Sequence, residues 1–204
     1  GKVLLKLEVT GAPGHAATPE KGINAVDCMA ALLQAVNQTW GSRYREGTVG
    51  SHCCLMIHSD YPGYSLNIPQ RCTCLMNKQL MAEERAENFL EDLKRIYKET
   101  VGQGTLNITR QIPSYPSYQL PKNQPDLAAL CTLLKQRFQR VPELKVNQSV
   151  SDGNILYQNL GIPTILYGPQ GVDFHTEREY LSLNSLEQYM EELEAYIKTR
   201  YAGV

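Results

Sequence analysis

Three stretches of this chain hold residue types that could do chemistry. The first is Gly168-Pro169-Gln170-Gly171-Val172-Asp173-Phe174-His175-Thr176-Glu177-Arg178-Glu179, an irregular loop that follows an apolar run at 161–167. A histidine leaving a buried strand in an α/β pattern stands where metals and ligands commonly bind, and neutral imidazole is a good metal ligand. The plainer account of His175 is a loop histidine paired with Asp173, Glu177 or Glu179. The second stretch, Gly11-Ala12-Pro13-Gly14-His15-Ala16-Ala17-Thr18-Pro19-Glu20-Lys21-Gly22-Ile23-Asn24-Ala25, holds His15 among prolines and glycines. Here the choice is between a hydrogen-bond donor to a ligand and a turn residue. The third is Ser151-Asp152-Gly153-Asn154 at a helix start. Its backbone donors could meet an anion, and helix capping by Ser151 and Asp152 explains it equally well.

Six cysteines (Cys28, Cys53, Cys54, Cys72, Cys74 and Cys131) show no C-x-x-C spacing. Cys72 and Cys74 share one face of a strand, and a thiolate metal site with Cys53 or Cys54 is conceivable. Small apolar side chains in a reducing compartment are the simpler account.

These residues need elements to hold them. Residues 2–9 alternate Lys2, Lys6 and Glu8 with Val3, Leu5, Leu7 and Val9, the period of a half-buried strand. A helix follows over 23–40 with Ile23, Val26, Ala30, Leu33 and Trp40 as its apolar stripe, then a strand at 53–57, a turn at 61–64 and a strand at 70–76. A second helix spans 82–100, carrying Ala86, Phe89, Leu90, Leu93, Ile96 and Tyr97 on one side, with acids first and bases last as the helix dipole favours. A strand at 105–112 completes β-α-β-β-α-β, the ferredoxin-like layout of a four-stranded antiparallel sheet with both helices on one face. RNA-binding modules share it, but residues 71–76 lack the aromatics that stack bases.

Three prolines between 112 and 124 mark a linker, so residues 1–113 form one domain and 114–204 another. The second part reads as a helix from 123 carrying Leu127, Leu130, Leu134, Phe138 and Val141 and stopped by Pro142, a strand at 144–150, a helix at 152–160, a strand at 161–167 and a helix at 185–201. That last helix carries Leu186, Tyr189, Met190, Leu193 and Ile197 as its stripe. Two strands are too few to bury three helices, so this αβα segment is incomplete.

Composition narrows the partners. With 204 residues, 42% hydrophobic, 20% charged and a formal net charge of -1, the chain lacks the basic face that nucleic acid requires. No apolar run approaches a membrane span and no signal peptide is visible, so a cytoplasmic location is the default. The chain opens inside a strand pattern without an initiating Met, as a processed product or a fragment does.

Taken together, the three stretches resemble the M20 metallopeptidase family, which includes acetylornithine deacetylases, succinyl-diaminopimelate desuccinylases and aminoacylases. The family's order is G-x-x-x-H-(small)2-x-P-x-x-G-x-N-A, S-D-G, G-I-P-T, G-P and H-T-x-x-E. Each occurs here in sequence, from Gly11 to Glu179. The resemblance covers the lid, or dimerisation, domain and the closing part of the catalytic domain. It implies metal-assisted hydrolysis of an amide bond in an N-acyl amino acid or short peptide, with two divalent ions, usually zinc, in a complete site.

By that resemblance His175 is a metal ligand, and His15 reaches the partner subunit's site to hydrogen-bond the substrate carbonyl. Ser151, Asp152, Gly153 and Gly168 border the substrate, and a homodimer forms through the lid. The family's H-x-D, bridging Asp and Glu-Glu pair are not in this chain, which implies that the chain alone is inactive. Asn77-Lys78-Gln79 stands where the family has Asp-x-Arg, and Leu66 where it has Asn. A non-catalytic dimerisation or scaffold protein of the same descent is the alternative.

Overall fold

The computed structural model describes residues 1–61 and 66–201. They form two compact units interleaved in sequence, Gly1–Tyr118 with Asn147–Leu160, and Gln119–Val146 with Gly161–Val204, so the chain crosses between units three times. The turn expected at 61–64 lies, from Pro62 on, outside the described residues.

The first unit is the ferredoxin-like arrangement, with strands β1 (Lys2–Thr10), β2 (His52–Ser59), β3 (Arg71–Gln79) and β4 (Thr105–Tyr115) and helices α1 (Ala25–Arg45) and α2 (Ala86–Thr100). The antiparallel sheet runs β2-β3-β1-β4. Period-2 alternation buries Val3, Leu5, Leu7 and Val9 of β1 and Cys72, Cys74 and Met76 of β3 against the helices. Cys28, Cys72 and Cys74 are thus core side chains, while Cys53 and Cys54 are exposed, and among the described residues no three His, Cys, Asp or Glu side chains gather as metal ligands. Among the described residues no helix is long and apolar enough to cross a membrane.

The stripe expected on α1 is out of phase. Ala25, Met29, Leu32, Val36 and Trp40 face the core, whereas Ala30 is exposed and Val26 and Leu33 are only partly buried. The helix is apolar around much of its girth, so its sequence leaves the phase open, and packing selects the face with the larger side chains. On α2 the expected Ala86, Phe89, Leu93, Ile96 and Tyr97 are buried, and Leu90 is partly buried against the same core.

Lys78 continues the inward face of β3 and is fully buried. Its ammonium donates to Gly50 O at 2.8 Å, Gln79 O at 2.7 Å and Glu84 Oε1 at 2.8 Å, and sits 5.0 Å from the centre of the Trp40 ring. Glu84 Oε2 accepts from the N–H groups of Gly50 and Met81 at 2.6 and 2.8 Å. This latch joins the segment before β2, the end of β3 and the approach to α2.

Helix α4 (Asp152–Leu160) belongs to the first unit. Asn154 Nδ2 donates to Pro116 O at 2.9 Å, Gln158 Nε2 to Ser117 O at 2.7 Å, and Tyr157 stacks on Tyr118 with centroids 4.7 Å apart.

The second unit packs α3 (Pro125–Phe138) against α5 (Leu183–Tyr201) and adds a hairpin of β5 (Gly171–Val172) and β6 (Tyr180–Leu181). The strands expected at 144–150 and 161–167 form no ladder among the described residues, and Ile162 and Leu166 are 47% and 51% exposed. A strand exists by pairing, and neither segment has a neighbour to pair with among the described residues. The stripe expected on α5 is corrected for the same reason. Met190, Leu193 and Ile197 are exposed, while Glu192 and Ala195 are buried, because nothing described covers the apolar side.

Candidate functional site

Gly11 follows β1, and a Cβ there would lie 2.1 Å from Ile23 O, so the close approach of the two backbones requires glycine. Ala12 and Ile23 exchange backbone hydrogen bonds at 3.0 Å each, closing the intervening loop at its base. Its middle is stapled to the segment before β3, with Ala16 N–H donating to Leu66 O at 2.7 Å and Ile68 N–H to Gly14 O at 2.8 Å around the bridge between His15 and Asn67. At the exit Asn24 caps α1, its Oδ1 accepting from Val26 N–H at 3.0 Å.

His15 stands exposed on this loop, and its Nδ1 accepts the Ala17 N–H at 3.0 Å. An accepting Nδ1 leaves the ring proton on Nε2 in the neutral imidazole. The side chain is therefore an oriented N–H donor carried by a braced loop.

At the start of α4, Ser151 Oγ accepts from Gly153 N–H at 3.2 Å while Asn154 Oδ1 accepts from Ser151 N–H at 3.0 Å. This is the reciprocal pattern of a capping box with Asn in place of Glu. Ser151 thus has a structural use, Gly153 is buried and Asp152 is exposed. Asn154, read from the sequence only as part of the motif, holds both the cap and the linker.

His175 lies between β5 and β6 in a left-handed backbone conformation, φ 65°, as does Asp173 at 54°. Such values in residues other than glycine persist where surrounding bonds impose them. Here Thr176 N–H and Oγ1 donate to Asp173 O at 3.1 and 2.7 Å, and Glu179 N–H donates to Thr176 O at 3.1 Å. Glu179 Oε2 accepts the His175 backbone N–H at 2.9 Å. The carboxylate fixes the backbone of His175, and the ring stands exposed.

Gly168 borders a polar hollow of about 160 Å³ whose lining includes Arg140, Tyr167, Gln188 and Glu192. Among the described residues nothing lies within 4 Å of a Cβ placed on Gly168, so no close approach there demands glycine. Glu192, fully buried, accepts from Arg140 Nη1 at 2.7 Å, Gln188 Nε2 at 3.0 Å and the Tyr167 hydroxyl. Burial first, then the hydrogen bond to Glu192, pushes the Tyr167 phenol up to about 12. Nothing in the local sequence marks Glu192 as buried, since it lies off the apolar stripe of Met190, Leu193 and Ile197.

His15 and Ser151–Gly153 thus belong to the first unit, and Gly168 and His175 to the second. A site with three protein ligands to a metal is not assembled among the described residues, where His175 stands as a single candidate.

Residues 1–110 match the family model described as the peptidase dimerisation domain of M20. Over 76 residues the chain is 32% identical to the N-formyl-4-amino-5-aminomethyl-2-methylpyrimidine deformylase of Bacillus subtilis (strain 168), covering 37% of this chain and 18% of that protein. The fold resembles a tripeptidase from Staphylococcus aureus (TM-score 0.77, 17% identity), with 97% of this chain and 51% of that one covered. It also resembles an aminopeptidase PepT from Bacillus cereus (TM-score 0.72, 17% identity, 97% and 51% covered). A further similar structure is an M20 family metallo-carboxypeptidase from Sulfolobus solfataricus (TM-score 0.61, 13% identity, 97% and 58% covered). The chain spans about half the length of these solved structures.

Proposed function

Because the chain belongs to the M20 peptidase-dimerisation family through residues 1–110, we propose that it supplies the lid and closing catalytic segment of a metal-dependent hydrolase cleaving an amide bond. The substrate class is an N-acyl amino acid or short peptide. The observation that carries this reading is the Ala17 N–H bond to His15 Nδ1, 3.0 Å. It directs the Nε2–H outward as a donor for the oxygen of a polarised carbonyl.

His175 supplies one imidazole to a zinc centre whose other ligands and general base lie outside these residues. When bound, such a pair of ions supplies an acidified water and a Lewis acid. The chain's own residues orient and bind: Glu179 sets the His175 backbone in the second unit, the Ser151–Gly153 turn of the first unit offers donors to a substrate carboxylate, and Gly168 presents no side chain to a substrate.

Dimerisation through the lid is favoured at β2. Leu55, Met56 and Ile57 are exposed on that edge, and α1 keeps a second, partly covered apolar face beside it, tied by Asn37 Oδ1 and His52 Nε2 at 2.9 Å. The opposite edge, β4, carries Arg110 paired with Glu87, and Pro113, features that discourage strand addition. A cytoplasmic setting suits six free thiols.

The test is His15→Ala in the complete dimeric enzyme. Loss of one oxyanion donor lowers kcat by roughly a hundredfold or more, with metal content and dimerisation unchanged. Unchanged kcat with a lowered Tm overturns the assignment and favours a structural lid histidine, as in a scaffold.

A further inference from the structure

In the first unit β2 is an edge strand, and it is irregular. Cys54 pairs with Met76 and Met56 with Leu75, so Leu55 is an extra residue bulged out of the ladder. The irregularity brings the Cys54 thiol, which would otherwise sit diagonally from Cys74, to a sulfur–sulfur distance of 3.3 Å from it. Cys54 is exposed and Cys74 is fully buried. Cys53, next along β2, points its thiol instead at the Cys54 carbonyl, 3.4 Å away.

We propose that Cys54 and Cys74 are a thiol modification site, a cross-strand dithiol that a low-molecular-weight disulfide converts to a β2–β3 bridge. A disulfide bond is about 2.05 Å long, so the sulfurs need to close by a little over an ångström. The bulge provides that slack, since a strand held on one side and carrying an extra residue shifts more readily than one inside a sheet.

The order of events follows from exposure. Cys54 loses its proton and attacks one sulfur of the external disulfide; a Cys54 Sγ–S bond forms, the external S–S bond breaks and one external thiolate leaves. Cys74 then loses its proton and attacks Cys54 Sγ, forming the Cys54–Cys74 bond and expelling the second external thiolate. Two electrons pass from the two cysteines to the external disulfide, and the two protons released balance the two thiolates. Burial, and next the neighbouring Cys54 thiol, hold the Cys74 thiol above its usual range, which leaves Cys54 to react first.

The experiment treats the folded chain with oxidised glutathione until equilibrium, so that slow access is immaterial, then counts free thiols and maps linked peptides by fragmentation mass spectrometry. The expected result is loss of two of the six thiols, a Cys54–Cys74 link, and recovery of both thiols with dithiothreitol. Cys54→Ser, a change at an exposed position, abolishes the bridge, and Cys53→Ser leaves it intact. A link between any other pair, a stable glutathione adduct on Cys54 with Cys74 still free, or six thiols remaining overturns the proposal.

Discussion

Lys78 Nζ lies 2.8 Å from Glu84 Oε1 with the lysine wholly buried and the glutamate nearly so, and the other Glu84 oxygen holds the N–H groups of Gly50 and Met81. Removing one member of a buried pair leaves the other uncompensated, which costs about 3–5 kcal/mol. Glu84→Ala therefore destabilises the chain more than Lys78→Met, whose thioether still packs on Trp40, and urea midpoints for the two variants check this order.

The same latch gives a pH dependence. Burial pulls the Lys78 ammonium below its ordinary 10.5, opposed by the hydrogen bond and charge of Glu84. Between the folded and unfolded values the unfolded chain binds more protons, so the penalty of burying the ammonium is present at lower pH and is relieved as pH rises through that window. The stability difference between wild type and Lys78→Met should shift in favour of wild type on the alkaline side. Melts of both proteins from neutral pH to the ordinary lysine range measure it, and parallel curves would refute it.

For the β2 edge, a charge in the middle of the exposed apolar run is the direct probe. Leu55→Lys should turn a dimer into a monomer in light scattering at micromolar concentration while changing Tm little, since Leu55 is exposed on the bulge. A wild-type chain that is monomeric at that concentration would refute the edge assignment.

At the hairpin, the 204-residue chain should show no tight stoichiometric zinc binding in calorimetry, because His175 has no gathered companions among the described residues. In the complete enzyme, Glu179→Ala frees the His175 backbone and should lower metal affinity roughly 10–100-fold, the cost typical of lost outer support. Competition with a chelator reads it, and an unchanged affinity would make the 2.9 Å contact incidental.

The first unit was legible because its signals are local. Alternation in β1 and β3 and the spacing of Phe89, Leu93 and Ile96 each specify a face without help from elsewhere. The same alternation, carried one step past Met76, marks Lys78 as inward; the charge disguises what the period says. Legibility failed where a partner decides the outcome. Residues 161–167 have the composition of a strand, but pairing belongs to two segments and only one is described. On α5 the apolar residues 190, 193 and 197 form a stripe that no described element covers, and Glu192 is buried because Arg140 and Tyr167 meet it from distant parts of the chain. At the candidate site the motifs located His15 and His175, while the Ala17 and Glu179 bonds that orient them depend on loop conformation.

The interleaving of the two units sets an order of assembly as the chain is synthesised. All four strands of the first unit have emerged by Tyr115, and their contacts can form while the rest is still being made. The second unit has no such option. Arg140 meets Glu192 across 52 residues of sequence and Asp126 meets Arg200 across 74, with α4 leaving and rejoining the other unit in between. Helix α3 therefore waits unpaired until the last helix is complete, and loop closure over such separations is slow relative to local pairing. Loss of α5 would spare the sheet and leave α3 without its partner, so this half of the fold depends on a helix that is made long after the one it packs against.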